Sequence, residues 1–275
     1  MKSNKADKAL IILPDIHGRD FWKVIHQCPD VPVIFLGDYL DPYPFEAPIV
    51  QGAFGTAGFG VTQDSAIDNF KDIIAAVRQR DNVTMLLGNH DMTYEIGKKV
   101  CECRTIYSRY DECRKLFWDN SDLFTIAKRM DLGGKEFLFT HAGITPEFNK
   151  VMNSIPVVLG TLDEVLRKDE ELNINHKKHW DKFCRVLGMV SSHRGGLDTA
   201  GSLVWADVFE HISSASDEKT DIIQVFGHTL CKEPIHTKNN SYEFYMLDSR
   251  EPFYMDDKGN IHRWDGSVVE LKIYK

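Results

Sequence analysis

Five times along this chain a short run of apolar, often β-branched residues stops at Asp, Asn or His beside a glycine. The runs are LIILPDIHG from Leu10, VPVIFLGDYLD from Val31, VTMLLGNHD from Val83, EFLFTHAG from Glu136 and IIQVFGHT from Ile222. A run of this length bounded by turn residues reads as a buried strand. Open α/β sheets gather their ligands at the carboxyl ends of such strands. The pattern predicts an α/β fold whose strand ends converge on one polar site.

Between the runs the periodicity changes. Phe21–Cys28 reads as a short helix. Asp64–Arg80 reads as a longer one, with Ile67, Phe70, Ile73, Ile74 and Val77 on one face. Met92 to Trp118 is polar and predicted largely helical, and Thr161–Leu172 and His176–Leu187 are predicted surface helices. Leu123–Met130 and Glu136–Thr140 flank Gly133–Gly134, the pattern of a β-hairpin. Residues 43–63, rich in Pro, Gly and Phe, show no periodicity. A loop of this length directly after Asp38 and Asp41 reads as a flap over the site. SSHRGGLDTAGSLVWAD is loop-like and carries Arg194, Trp205 and Asp207. The C-terminal part alternates short apolar runs with turns at Asn239–Asn240, Lys258–Gly259 and Asp265–Gly266, a β-rich close. Without repeats or a linker, residues 1–275 are expected to form one domain.

Composition narrows the function classes. A net charge of −8 disfavours nucleic acid or an anionic membrane as partner. The N-terminal MKSNKADKAL has no apolar segment of an export signal. The six cysteines show no disulfide-like spacing, so reduced thiols in the cytoplasm are expected. Cys101, Cys103 and Cys113 lack the fourth ligand of a zinc site, and His176 and His179 among lysines read as solvent-exposed.

Asp15, His17, Asp38, Asn89, His141 and His228 make a mixed carboxylate, imidazole and amide set at the strand ends. That set suits manganese, iron or zinc better than magnesium or calcium. Six ligands exceed what one open catalytic ion needs. They suit two divalent ions sharing a bridging carboxylate.

DIHG, GDYLD, GNHD, HAG and GHT, in this order, resemble the calcineurin-like metallophosphoesterase superfamily. More closely they resemble the phosphoprotein phosphatase branch, including bacterial diadenosine tetraphosphate hydrolases, to which THAGITP is similar. The resemblance covers Asp15 to about Asp248. It implies a central sandwich of two mixed sheets flanked by helices. It also implies that Asp15 and His17 bind one metal, that Asp38 bridges, and that Asn89, His141 and His228 bind the second. Leu230 replaces the second histidine of the G-H-x-H form, which favours the phosphatase branch over phosphodiesterases.

The expected reaction is hydrolysis of a phosphate monoester by hydroxide bridging the two ions. His90 would protonate the leaving group and Asp41 would orient it, as the family's aspartate–histidine pair does. Asn89 would also face the substrate phosphate. Pro42 stands where the branch carries an arginine that grips phosphate; Arg194 is the replacement expected here. Asp91, where the branch often has glutamate, receives no role. The substrate classes left open are a phosphoprotein, a small phosphorylated metabolite and a dinucleoside polyphosphate. A phosphodiester and a metal-free binding scaffold are the alternative readings; the complete ligand set speaks against the scaffold.

Overall fold

The computed structural model describes residues 8–43, 61–96, 104–153, 185–214, 219–239 and 241–272. Most of the expected flap, the helix over Thr161–Leu172, most of that over His176–Leu187, and Cys101 and Cys103 lie outside them.

The first three apolar runs form β1 (Leu10–Leu13), β2 (Val33–Phe35) and β3 (Val83–Leu86), and a fourth strand is β4 (Phe124–Thr125). They lie parallel and in chain order. Antiparallel β10 (Phe253–Met255) and β11 (Ile261–Arg263) extend the other edge, giving the order β11-β10-β1-β2-β3-β4. The second sheet runs β5 (Ala127–Leu132), β6 (Lys135–Thr140), β7 (Ile223–Phe226), β9 (Glu243–Met246) and β8 (Ile235–Lys238). Within it β6, β7 and β9 are parallel. Both sheets are therefore mixed, as expected.

Alternation along β1 explains the layering. Leu10 and Ile12 join Ile34, Leu36 and Leu86 in one apolar cluster with Phe137, Phe139, Ile223 and Val225 of the second sheet. Ile11 and Leu13 point the other way. They share a cluster with Val33, Phe35 and the buried face of α1 (Gln63–Val77). The central strands β1 and β2 are thus apolar on both faces, which is why their sequences read as unbroken runs. The far face of the second sheet packs Phe226, Phe244 and Met246 against Val208 of a short helix, Val208–Ser213. Thr62 and Ser65 form a capping box at the start of α1, a contribution of about 1 kcal/mol.

One expectation needed correction. Leu123–Met130 is not one strand: Phe124–Thr125 pairs with β3 in the first sheet, whereas Ala127–Leu132 pairs with β6 in the second. Buried Ile126 marks the crossing, so the chain passes between sheets without a break in hydropathy. Between Met92 and Trp118 the described residues are largely helical, as expected, in α2 (Asn89–Ile96) and α3 (Tyr110–Trp118). No helix of the described residues is long and apolar enough to cross a membrane.

Candidate metal centre

The carboxyl ends of β1, β2, β3, β6 and β7 meet at one buried place between the sheets. Asp15, His17, Asp38, Asn89, His90, His141 and His228 are each at most 8% exposed. Asp38 lies at its middle. Its Oδ2 is 3.5 Å from His17 Nε2 and 3.4 Å from His141 Nε2, and its Oδ1 accepts the backbone N–H of His90 at 3.0 Å.

Both imidazoles are aimed from behind. His17 Nδ1 is 2.8 Å from the Leu40 carbonyl and His141 Nδ1 2.7 Å from that of Leu36. An N–H donated at Nδ1 turns Nε2 towards Asp38, the arrangement by which proteins orient histidine ligands. Asn89 Oδ1 lies 3.0 Å from His141 Nε2 and 2.9 Å from His228 Nδ1, and those two nitrogens are 3.1 Å apart. The Asp15 carboxylate accepts the backbone N–H of His228 at 3.0 Å.

Holding these groups strains the backbone. Among the described residues the non-glycines with positive φ are His17, Asp38, Asp41, His228 and Arg250. Strain of this kind costs on the order of 1–3 kcal/mol per residue and concentrates at functional sites. Two glycines are needed for close approach: a Cβ on Gly88 would meet Asp38 Oδ1 at 2.1 Å, and one on Gly227 would meet Asp15 Oδ1 at 2.2 Å.

The donor set fits divalent cations. Two tight groups, His17–Asp38–His90 and Asp38–His141–His228, share Asp38. Burial, with Arg194 and His141 nearby, holds His228 well below the usual histidine range, so it is a neutral donor. Its buried Nε2 has no hydrogen-bond partner. Burial likewise keeps His17 neutral. Burial opposes a charge on His141, but the Asp38 and Asp15 carboxylates outweigh it and push its pKa up to about 10. A cation bound there must therefore displace a proton. Burial favours a protonated Asp38, yet the surrounding histidines, His141 foremost, hold its carboxyl well below the usual carboxylate range.

His90 sits beside this set, its ring edge-on to His17 at 4.9 Å. Its Nδ1 is 2.8 Å from Asp41 Oδ2, while Tyr94 donates its hydroxyl to Asp41 Oδ1 at 2.5 Å. Asp41 is thus fixed from both sides. Arg194 is ion-paired through Nε to Asp207 Oδ2 at 2.7 Å and donates to Thr229 Oγ1 at 2.6 Å. This pairing places it on the His228 side, held by its own partners.

The sequence profile of the calcineurin-like phosphoesterase family matches residues 9–232. The chain belongs to this family. It is a metal-dependent phosphoesterase, and among the described residues its Asp/His groups could hold the metal. Solved structures of similar fold include a cold-active protein-tyrosine phosphatase of a psychrophilic Shewanella species. It is 13% identical, with a TM-score of 0.53, over 96% of this chain and 81% of that one. A second structure, of a cold-active protein tyrosine phosphatase at 1.1 Å, is 14% identical with a TM-score of 0.54, over 96% and 78%.

Sequence reading passed over Asp91. Its carboxylate accepts the backbone N–H groups of Asp38 at 2.7 Å, Tyr39 at 3.0 Å and Gly88 at 2.8 Å, so it clamps the β2 loop to the β3 loop. An unpaired buried donor costs about 1–3 kcal/mol, so Asp91→Ala should destabilise the fold by more than about 3 kcal/mol in urea unfolding. A loss below about 1 kcal/mol would contradict the clamp.

His211 supports the His141 loop from behind. Its Nε2 is 2.9 Å from the Ala142 carbonyl and its Nδ1 2.6 Å from the Tyr242 hydroxyl, a neutral imidazole donating at one nitrogen and accepting at the other. Burial pushes its pKa down from 6.5 to about 4. Between those values the unfolded chain binds a proton that the folded chain refuses. Stability should therefore be full above pH 6.5 and fall as pH drops towards 4, by roughly 3 kcal/mol. Urea unfolding at pH 7 and pH 4.5 should show a smaller pH-dependent loss for His211→Gln than for the parent. Equal losses would contradict this assignment.

Proposed function

We propose that this chain is a dinuclear phosphomonoesterase in which Asp15, His17 and Asp38 hold one cation and Asp38, Asn89, His141 and His228 the other. The observation that carries this reading is that Asp38 lies in one tight group with His17 and in a second with His141 and His228. Manganese, iron and zinc suit the nitrogen-containing donor set. When bound, two such cations would supply an activated water and offset charge on the phosphoryl oxygens.

The chain's own residues do the remaining work. His90, with Nδ1 committed to Asp41, keeps Nε2 to donate a proton to the departing oxygen. Asp41 sets the ring's orientation, and Tyr94 keeps Asp41 in place. Asn89 would face the second cation and the phosphate together. Arg194, steadied by Asp207, offers positive charge on the His228 side. We place residues 1–275 in one catalytic domain and the protein in the cytoplasm, with a phosphoprotein or small phosphometabolite as substrate.

Hydrolysis of p-nitrophenyl phosphate beside bis-p-nitrophenyl phosphate, with manganese or with chelator, tests the reading. Metal-dependent turnover of the monoester alone is expected. Preferential turnover of the diester would move the chain to phosphodiester chemistry. Silence on both with no metal bound would support the scaffold reading.

A further inference from the structure

A sixth strand end reaches the metal centre. β9 lies parallel to β7 with Met246 opposite Phe226, and the Leu247 N–H donates to the Phe226 carbonyl at 2.8 Å. Continued by two residues, this register sets Asp248 beside His228. The Asp248 carbonyl holds the loop after His228, accepting the backbone N–H of Cys231 at 2.9 Å. Asp248 is only 2% exposed, and among the described residues no hydrogen-bond donor meets its Oδ1. Arg250, two residues on, has a φ of 64°. The other described non-glycine residues with positive φ, His17, Asp38, Asp41 and His228, all lie in the turns that carry the centre. The turn after β9 is built in the same way.

Electrostatics put the Asp248 carboxylate on the Asp15 side. Of the charged groups around it Asp15 acts most strongly, followed by Arg19, Arg250 and Asp38. The charges that act most on the His228 ring are Arg194, His141, Asp38 and His90, so Asp248 bears on the first metal position more than on the second. Asp15 is itself fixed against β7: its Oδ1 accepts the His228 N–H at 3.0 Å, where Gly227 has no Cβ to block it. Buried carboxylates gathered in one place repel, and the cost rises where water is excluded. Arg19 and Arg250 act against that repulsion, but neither donates to Oδ1. A buried acceptor left unpaired costs about 1–3 kcal/mol, and an ion or ligand is one of the few partners that account for it in a native structure. A divalent cation beside Asp15 would attract both carboxylates at once.

We infer that Asp248 is a seventh residue of the metal centre, whose carboxylate acts on the cation of the Asp15–His17–Asp38 position and sets how tightly that position is filled. This rests on the reading of two cations sharing Asp38. A group one shell out from a metal is worth about 10–100-fold in affinity. The Asn89–His141–His228 position should be nearly indifferent to Asp248.

Calorimetric titration of manganese into the chelated full chain tests it, in backgrounds that keep one position each. His228→Asn should leave the Asp15–His17–Asp38 position, and His17→Gln the other. In His228→Asn, adding Asp248→Asn should weaken the remaining ion about tenfold or more. In His17→Gln the same change should move the affinity by no more than about twofold. Asp248→Asn keeps the side chain's shape; Asp248→Ser also removes the charge and should act in the same sense, so either variant decides where the other fails to fold. Unchanged affinity in His228→Asn, or equal weakening in both backgrounds, overturns the inference. Failure of both variants to fold makes Asp248 a structural carboxylate and overturns it too. The two readings fail separately. If the parent binds a single ion the dinuclear reading falls, and Asp248 still belongs to the centre only if Asp248→Asn weakens that ion about tenfold or more.

Discussion

Asp38→Asn should lower turnover of p-nitrophenyl phosphate by more than about 100-fold, beyond the 10–100-fold loss typical when a partner one shell out from a metal is changed. The substitution keeps the side chain's shape and removes one acceptor. Asp38 uses both oxygens: Oδ2 faces the imidazoles of His17 and His141, and Oδ1 accepts the His90 N–H. An amide nitrogen turned either way sets a donor against a donor or withdraws the negative charge that two cations would share. The variant should retain circular dichroism near that of the parent while binding less than two metals per chain. Near-normal turnover with two metals bound would contradict the shared-carboxylate account.

His90→Asn should act differently on different leaving groups. A proton donor contributes about 10²–10⁴-fold when the departing alkoxide is a poor leaving group. An aryl oxide such as p-nitrophenolate leaves with little help. Alkyl phosphates should therefore lose most of that factor, and p-nitrophenyl phosphate much less. The 2.8 Å contact with Asp41 motivates this role. Equal losses on both substrates would remove the acid role and leave the metal ligands untouched.

The parts of the site legible in the sequence are those written into strand ends. Asp15, His17, Asp38, Asn89, His141 and His228 each follow an apolar run, so periodicity and a turn residue mark them. The Asp41–His90 pair was legible through the motifs that carry it, since each residue lies close to a marked ligand. Asp91 was not, because its partners Asp38 and Tyr39 are 53 and 52 residues away and are backbone groups, which leave no trace in residue type. Asp248 closes an apolar run as the ligands do, but no glycine stands beside it, and only the register of β9 against β7 brings it to the centre. Sheet membership was lost for a similar reason. Phe124 to Leu132 is one run by propensity, and tertiary pairing alone divides it between two sheets.

The most direct test of the metal centre is to count manganese bound per chain while following p-nitrophenyl phosphate turnover as metal is titrated into chelated protein. Two ions per chain are expected, with turnover rising as the second position fills. Full turnover at one ion per chain, or turnover that persists in chelator, would contradict a centre built around Asp38.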